Sequence, residues 1–164
     1  MTSPSLTLRP AQIADAERLI AIHFSAIQQI SEAIYPRSVL NAWSPEPSAQ
    51  RHQWMRDTIQ STERMVWVAQ SAERIGAFAI VSTEDGFIHA LYTDPNDSGL
   101  GMGKALLQQM EQLLFQAGIR TAQLKASLNA APFYQAMGYE SLHPTTQTLS
   151  DGSEMDCIVM RKNL

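Results

Sequence analysis

The chain has 164 residues and a mass of 18.2 kDa, the usual size of one domain, so residues 1–164 are expected to share a single core. A hydrophobic content of 45% beside 17% charged residues supports a packed interior and excludes a disordered tail or a collagenous repeat. A formal net charge of −4 offers no general attraction for nucleic acid or anionic lipid, and a lone cysteine, Cys157, excludes an internal disulfide and a cysteine-rich metal site.

No apolar run reaches the roughly 18 residues that a membrane-spanning helix needs. The opening MTSPSLTLRP lacks the charged-then-apolar pattern of a leader, so a cytoplasmic location is expected. Ser5 to Arg9 reads as a strand ended by Pro10, and Asp15 as the cap of a helix whose apolar positions include Leu19, Ile20, Phe24, Ile27 and Ile30. Three prolines between Tyr35 and Pro47 restrict that stretch to an irregular helical lid, followed by a helix over Ser48 to Gln60. Met65 to Ala69, Ile75 to Val81 and Phe87 to Thr93 read as successive strands, and Asp94 to Ser98 as a turn. Leu106, Met110, Leu113, Leu114 and Ala117 mark a helix from Met102 to Ala117, stopped at Gly118. A strand over Arg120 to Lys125 and a helix over Asn129 to Met137 follow. Strands at Tyr139 to His143 and Met155 to Arg161 then flank a turn at Ser150 to Gly152. Because several strands follow one another without a helix, the expected architecture is α/β (α+β), a mixed, largely antiparallel central sheet with helices on both faces.

The strongest chemical signal is Ser98-Gly99-Leu100-Gly101-Met102-Gly103-Lys104, between a strand and the start of the longest helix. Alternate glycines let the main chain approach a ligand and turn successive N–H groups into one concavity, to which the helix start adds partial positive charge. Such a nest suits a pyrophosphate. A nucleoside-triphosphatase loop would need glycine at Ser98 and Ser or Thr at Ala105, and a dinucleotide fingerprint a third glycine at Lys104 or Leu106; neither is present.

The loop instead resembles the acyl-CoA-binding signature of the GCN5-related N-acetyltransferases, Q/R-x-x-G-x-G/A, with Gly101 and Gly103 as its two glycines. Leu8-Arg9-Pro10 with Asp15, the strand Ile88 to Thr93 ending at Pro95, and Ala130-Ala131-Pro132-Phe133-Tyr134 followed by Gly138-Tyr139 fall in the same order and spacing as in that family. The Trp43-Ser44-Pro45 segment, Lys125 to Leu128 and the C-terminal hairpin are similar to its YafP-like bacterial acetyltransferases. The resemblance implies acetyl-CoA as cosubstrate, with the N–H groups from Gly99 to Lys104 on the pyrophosphate and the main chain of Leu91, Tyr92 and Thr93 along the pantetheine arm. Ser98 departs from the pattern, standing where the family has a long Arg or Gln, with Lys104 as a source of the missing charge. Ser127 departs too, standing where many relatives carry an asparagine; Ser127 and Asn129 are both substitutes. Phe133 falls in the same cofactor segment.

The resemblance also implies direct transfer to an amino group in a ternary complex, with no acyl-enzyme. Tyr134, four residues before Gly138, is then the general acid that protonates the departing thiolate, its alternative being core packing beside Phe133. His89, at the centre of its strand, is the candidate general base, the alternative being a hydrogen-bonded sheet histidine. His23 and His143 are further histidines within reach of the cleft, whereas His52 reads as solvated. Tyr35 and Trp43 either wall an acceptor pocket, together with His23, or pin the lid onto the sheet. Cys157 reads as a small core residue, and no ligand spacing supports a metal. The expected partner is a small-molecule or peptide amine, with no nucleic acid and no membrane, and with a homodimer as the family's habit; a cationic acceptor is weakly favoured by net charge. The alternative from another class is a non-catalytic acyl-CoA-binding sensor.

Overall fold

Seven strands join in one sheet of order β1-β2-β3-β4-β5-β7-β6 in the computed structural model, which describes residues 5–164. Met1 to Pro4, the first part of the opening MTSPSLTLRP segment, lie outside the described residues. The chain runs β1 (Leu6–Pro10), α1 (Ala16–Gln28), α2 (Arg37–Trp43), α3 (Ala49–Gln60), β2 (Arg64–Ser71), β3 (Arg74–Ser82) and β4 (Phe87–Thr93). It continues with α4 (Met102–Gln116), β5 (Thr121–Ser127), α5 (Ala131–Ala136), β6 (Glu140–Thr148) and β7 (Glu154–Asn163). All neighbouring strands pair antiparallel except β4 and β5. The mixed, largely antiparallel sheet expected from the sequence is therefore what the chain forms.

The strand alternation splits the core between two faces. On one, Leu107, Met110 and Leu114 of α4 and Tyr134 of α5 meet Ala79, Val81 and Leu124. On the other, Leu19 and Ile22 of α1 and Met55 of α3 meet Val68, Phe78 and Ile80. Helices cover both faces, as the apolar periodicity of α1 and α4 requires.

Some boundaries differ from the sequence reading for local reasons. Pro10 extends β1 by pairing with Trp67, which it tolerates because β1 is an edge strand. β6 runs to Thr148 through Pro144 on the opposite edge for the same reason. Asp15 does not cap α1 through its side chain; its carboxylate instead accepts from Arg9 at 2.8 Å and from the Gln12 N–H at 2.7 Å. Ile30 lies past the end of α1 yet stays buried.

Two irregularities position the site. Ile80 pairs with Ala90 while Val81 pairs with Ile88, leaving His89 as the extra residue of a β-bulge. The bulge puts Ile88 and Leu91, three positions apart, against the same core cluster. β4 then pairs with β5 only at Phe87↔Gln123 and Ile88↔Leu124. Beyond that point β4 stays with β3 as far as Thr93, and β5 stays with β7 as far as Ser127. The two central strands part, and a gap opens in the middle of the sheet.

Gly76 of β3 fits the start of α4 against this sheet, since a Cβ there would lie 2.5 Å from Met102 Sδ and 2.8 Å from Asp97 Cβ. Gly76→Ala is expected to lower stability by about 1–3 kcal/mol, as overpacking does elsewhere. Urea unfolding checks this, and an unchanged midpoint would show that α4 shifts without cost.

Candidate active site

A cleft of about 210 Å³ follows the gap between β4 and β5. His89, Leu91, Tyr92 and Thr93 line it from β4, Lys125 and Ser127 from β5, and Asn129 and Tyr134 from the segment beyond. Past Ile88 the β5-facing edge of β4 has no strand partner among the described residues, so its main-chain groups are open to an extended ligand that carries amides.

At the far end of β4 the glycine loop forms the nest. Gly99 and Gly101 take φ of +82° and +77°, which only glycine adopts freely, and a side chain at either would meet nothing within 4 Å. Ala105 N–H is the first to close α4, onto Gly101 O at 3.0 Å. The N–H groups from Gly99 to Lys104 have no acceptor among the described residues. Gly103 faces Thr93 Oγ1 and Phe133 Cζ, at 3.4 and 3.9 Å from where its Cβ would be, which joins the nest to the end of the cleft. Of the predicted loop side chains, Met102 is buried and Leu100 exposed. Ser98 Oγ donates to Pro95 O at 2.9 Å. Lys104 is exposed on the first turn of α4.

An ion-pair cluster fixes this loop. Arg18 Nη2 reaches Asp94 Oδ2 at 2.9 Å, and Arg74 reaches Asp97 at 3.1 Å and Asp94 at 3.3 Å. Burial works against the Asp94 carboxylate, but the Asn96 N–H, Arg18 and Arg74 hold it below the usual carboxylate range. Arg18, Arg74 and Gly76 escape sequence reading, because their partners are many residues away.

A second cavity, of about 430 Å³, lies on the α1 and α3 face and shares Trp43, His89, Ala90, Tyr92 and Gln147 with the first. The two spaces therefore meet at the bulge. Tyr134, in the first cleft, stacks edge-on against Phe133 and Tyr139 with centroids 5.3 and 5.7 Å away. Burial, and then the nearby Tyr92, push its phenol well above the ordinary range, so it stays protonated. No protein group bonds the Tyr134 hydroxyl among the described residues, and no buried side-chain oxygen is left unpartnered, so this hydroxyl opens into the cleft. Burial raises Tyr92 to about 12, against the effect of a hydrogen bond from Trp43. His89 is exposed at the junction and packs on Phe87; partial burial and then Arg64 lower its pKa, with Asp85 opposing.

The other candidates sort by geometry. Tyr35 lines neither cavity: it donates to Asp156 O at 2.5 Å and accepts from the Leu128 N–H at 2.8 Å, which pins the lid onto β7 and the end of β5. Trp43 walls both cavities. His23 lines the second, but its Nδ1 lies 3.0 Å from Arg51 Nη2 and 2.8 Å from Ser44 Oγ. Arginine only donates, so Nδ1 is an acceptor and the proton sits on Nε2. Burial, with the Arg51 charge, lowers His23 to about 3, so it is a neutral wall and not a base. His143 is exposed on the edge strand β6, in neither cavity. His52 is partly buried and lies 4.0 Å from Glu17. Cys157 is buried, as expected, with burial raising its pKa first and Lys125 opposing. Among the described residues no acidic, histidine and cysteine cluster suits a metal, and no helix is long and apolar enough to cross a membrane. Arg51, Arg64 and Gln147 were not legible as site residues, since a polar residue on a helix or at a strand end carries no motif.

Stability should follow the His23 shift. Between about pH 6.5 and 3 the unfolded chain binds the proton that folded His23 refuses, so stability is complete above that window and falls as pH drops into it. From pH 7 to pH 5 the wild type is expected to lose about 2 kcal/mol more than His23→Asn, which keeps an acceptor but does not titrate. Urea unfolding at the two pH values checks this, and parallel losses would contradict it.

The acetyltransferase (GNAT) domain model matches residues 33–162. The GCN5-related N-acetyltransferase (aminotransferase, class-II) of Rhodopseudomonas palustris superposes with a TM-score of 0.88 at 25% identity, over 100% of this chain and 99% of that one. The PaiA N-acetyltransferase of Thermoplasma acidophilum, in complex with coenzyme A, gives 0.78 at 18% identity over 98% and 99%. A phosphinothricin acetyltransferase of Sinorhizobium meliloti, in complex with AcCoA, gives 0.71 at 20% over 97% and 88%. No curated protein sequence matches the chain. With a domain model spanning most of its length over this sheet, bulge and glycine loop, the chain belongs to the GNAT acetyltransferase family.

Proposed function

We propose that residues 1–164 act as one N-acetyltransferase domain that moves an acetyl group from acetyl-CoA to an amine in a ternary complex. The observation that carries this reading is the opening of an unpaired β4 edge between a nest of unpartnered N–H groups and the Tyr134 hydroxyl. The residues fit the cosubstrate. The amides from Gly99 to Lys104 would hold the diphosphate, Leu91 to Thr93 the pantetheine amides, and Ser127, Asn129 and Phe133 the flank of the arm. Ser98 spends its hydroxyl on Pro95 O, so the grip at that end falls to main-chain donors, which need no long side chain.

When bound, acetyl-CoA supplies an activated thioester. An alkyl ammonium with a pKa of about 10.4 must lose a proton before it can attack, and His89 is the group at the junction of the two cavities able to take it. Its lowered pKa keeps the imidazole neutral and proton-accepting at neutral pH. Tyr134 holds a proton at all physiological pH values and offers it as charge grows on sulfur. A thiol pKa of about 8.5 lies below a phenol's, so the hydroxyl acts chiefly as a hydrogen-bond donor to the leaving group, with cleft water completing the transfer. A main-chain N–H on the free β4 edge offers a donor for the carbonyl oxygen. Trp43 and Tyr92 exclude water where the cavities meet.

Tyr134→Phe is expected to lower kcat by about 10²–10⁴ with little change in KM for acetyl-CoA, and His89→Gln to lower kcat similarly and abolish the acid limb of the pH profile, which lies below pH 6.5 in the wild type. Thiol release from acetyl-CoA with a panel of amines reads both. Turnover left intact in Tyr134→Phe would remove the acid from this account.

A further inference from the structure

The second cavity carries more information than its shape. It is lined by Arg51 and Arg64 and by no acidic residue. Arg9 and Arg18, also partly buried, each close on a carboxylate. Arg51 and Arg64 have no carboxylate within 4.0 Å among the described residues. The Arg51 guanidinium spends donors on Pro45 O, His23 Nδ1 and Ser44 Oγ, all neutral groups. Burial alone pulls its pKa down, as for a cation taken from water without a counter-ion. A paired arrangement is the usual solution for a covered charge, and an anion entering the cavity would complete one here.

Beside neutral polar residues such as Gln147 and Ser150, the wall has an apolar side formed by Ile20, Met55, Phe78 and Ile80, with Trp54 exposed at the rim. At about 430 Å³ the space is in the range of small-molecule sites. His89, the proposed base, stands on the border with the first cavity, and Arg64 is near enough to depress it.

We infer that the acceptor is a small amino acid-like molecule, with a primary amine directed to His89, an apolar body against Phe78 and Met55, and a carboxylate held by Arg51 and Arg64. This rests on the acetyl-transfer reading above and narrows it to one substrate class. It also reverses the weak preference for cationic acceptors drawn from net charge, because two local guanidinium groups outweigh a distant, screened −4.

Matched acceptors test it: phenylalanine, phenylalaninamide and phenethylamine, and the corresponding leucine set, assayed by thiol release and by quenching of tryptophan fluorescence from Trp43 and Trp54. The wild type is expected to favour the carboxylates by at least about tenfold in kcat/KM, the value of one charge-assisted hydrogen bond. Arg64→Gln is expected to erase that preference by raising KM for the carboxylates alone, leaving KM for acetyl-CoA unchanged. Arg51→Gln should do the same; Arg64, which does not brace the lid, keeps the test valid if the Arg51 variant misfolds. Equal or better turnover of the amides and amines, or a KM rise common to all acceptors, would overturn the inference while leaving acetyl transfer intact. Selective binding of carboxylates, lost in Arg64→Gln, without thiol release from any amine would keep Arg51 and Arg64 as a carboxylate site but overturn the acceptor role together with acetyl transfer. Fluorescence that shows neither binding nor preference, with no thiol release, would sink both.

Discussion

The structure depends on one constraint: β4 and β5 are each held more firmly by their outer neighbours than by each other. β3 holds β4 to Thr93 and β7 holds β5 to Ser127, whereas β4 and β5 meet at two positions only. Main-chain groups inside a protein need partners, so a strand edge left open in mid-sheet is a standing demand for a ligand. The bulge at His89 sits where the pairing ends. It both marks the start of the gap and turns a titratable side chain into the space where the two cavities join.

The second organising feature is the use of dipoles and isolated charges in a chain whose net charge is −4. The nest gathers six N–H donors, Gly99 to Lys104, without an acceptor among the described residues. The carboxylates closest to it, Asp94 and Asp97, are already neutralised by Arg18 and Arg74. They hold the loop in shape with their negative charge already compensated. Arg51 has the opposite arrangement, a cation braced by neutral acceptors and left with charge to spare. Net charge, screened over about 8 Å, reports on neither place.

Much of this was readable in the chain itself. The helical spacing of Leu106, Met110 and Leu114 and the glycines at 99, 101 and 103 are local signals, and the elements they imply are present. Of the candidates, Leu91 to Thr93, Ser127, Asn129 and Tyr134 line one cleft, and the loop meets its end through Gly103 beside Thr93 and Phe133, because these residues lie near strand ends and helix starts whose place in the sheet follows from topology. What stayed hidden depends on distant partners. Tyr35 bonds residues 93 and 121 positions away, so its role as a clasp had no local mark. His23 reads as a histidine within reach of the cleft, and nothing local shows that Arg51, 28 residues on, occupies its Nδ1. Gly76 reads as an ordinary strand glycine and is fixed by Met102 and Asp97. The bulge at His89 is a shift of register, and single-strand alternation does not reveal it.

Hydrogen exchange followed residue by residue, with and without coenzyme A, tests the central claim most directly. The account predicts slowed exchange at two separate places on addition of the cofactor: amides of Leu91 and Thr93 on the open edge of β4, and those of Gly99 to Lys104 in the loop. Unchanged exchange at both, or protection confined to some other surface, would contradict it.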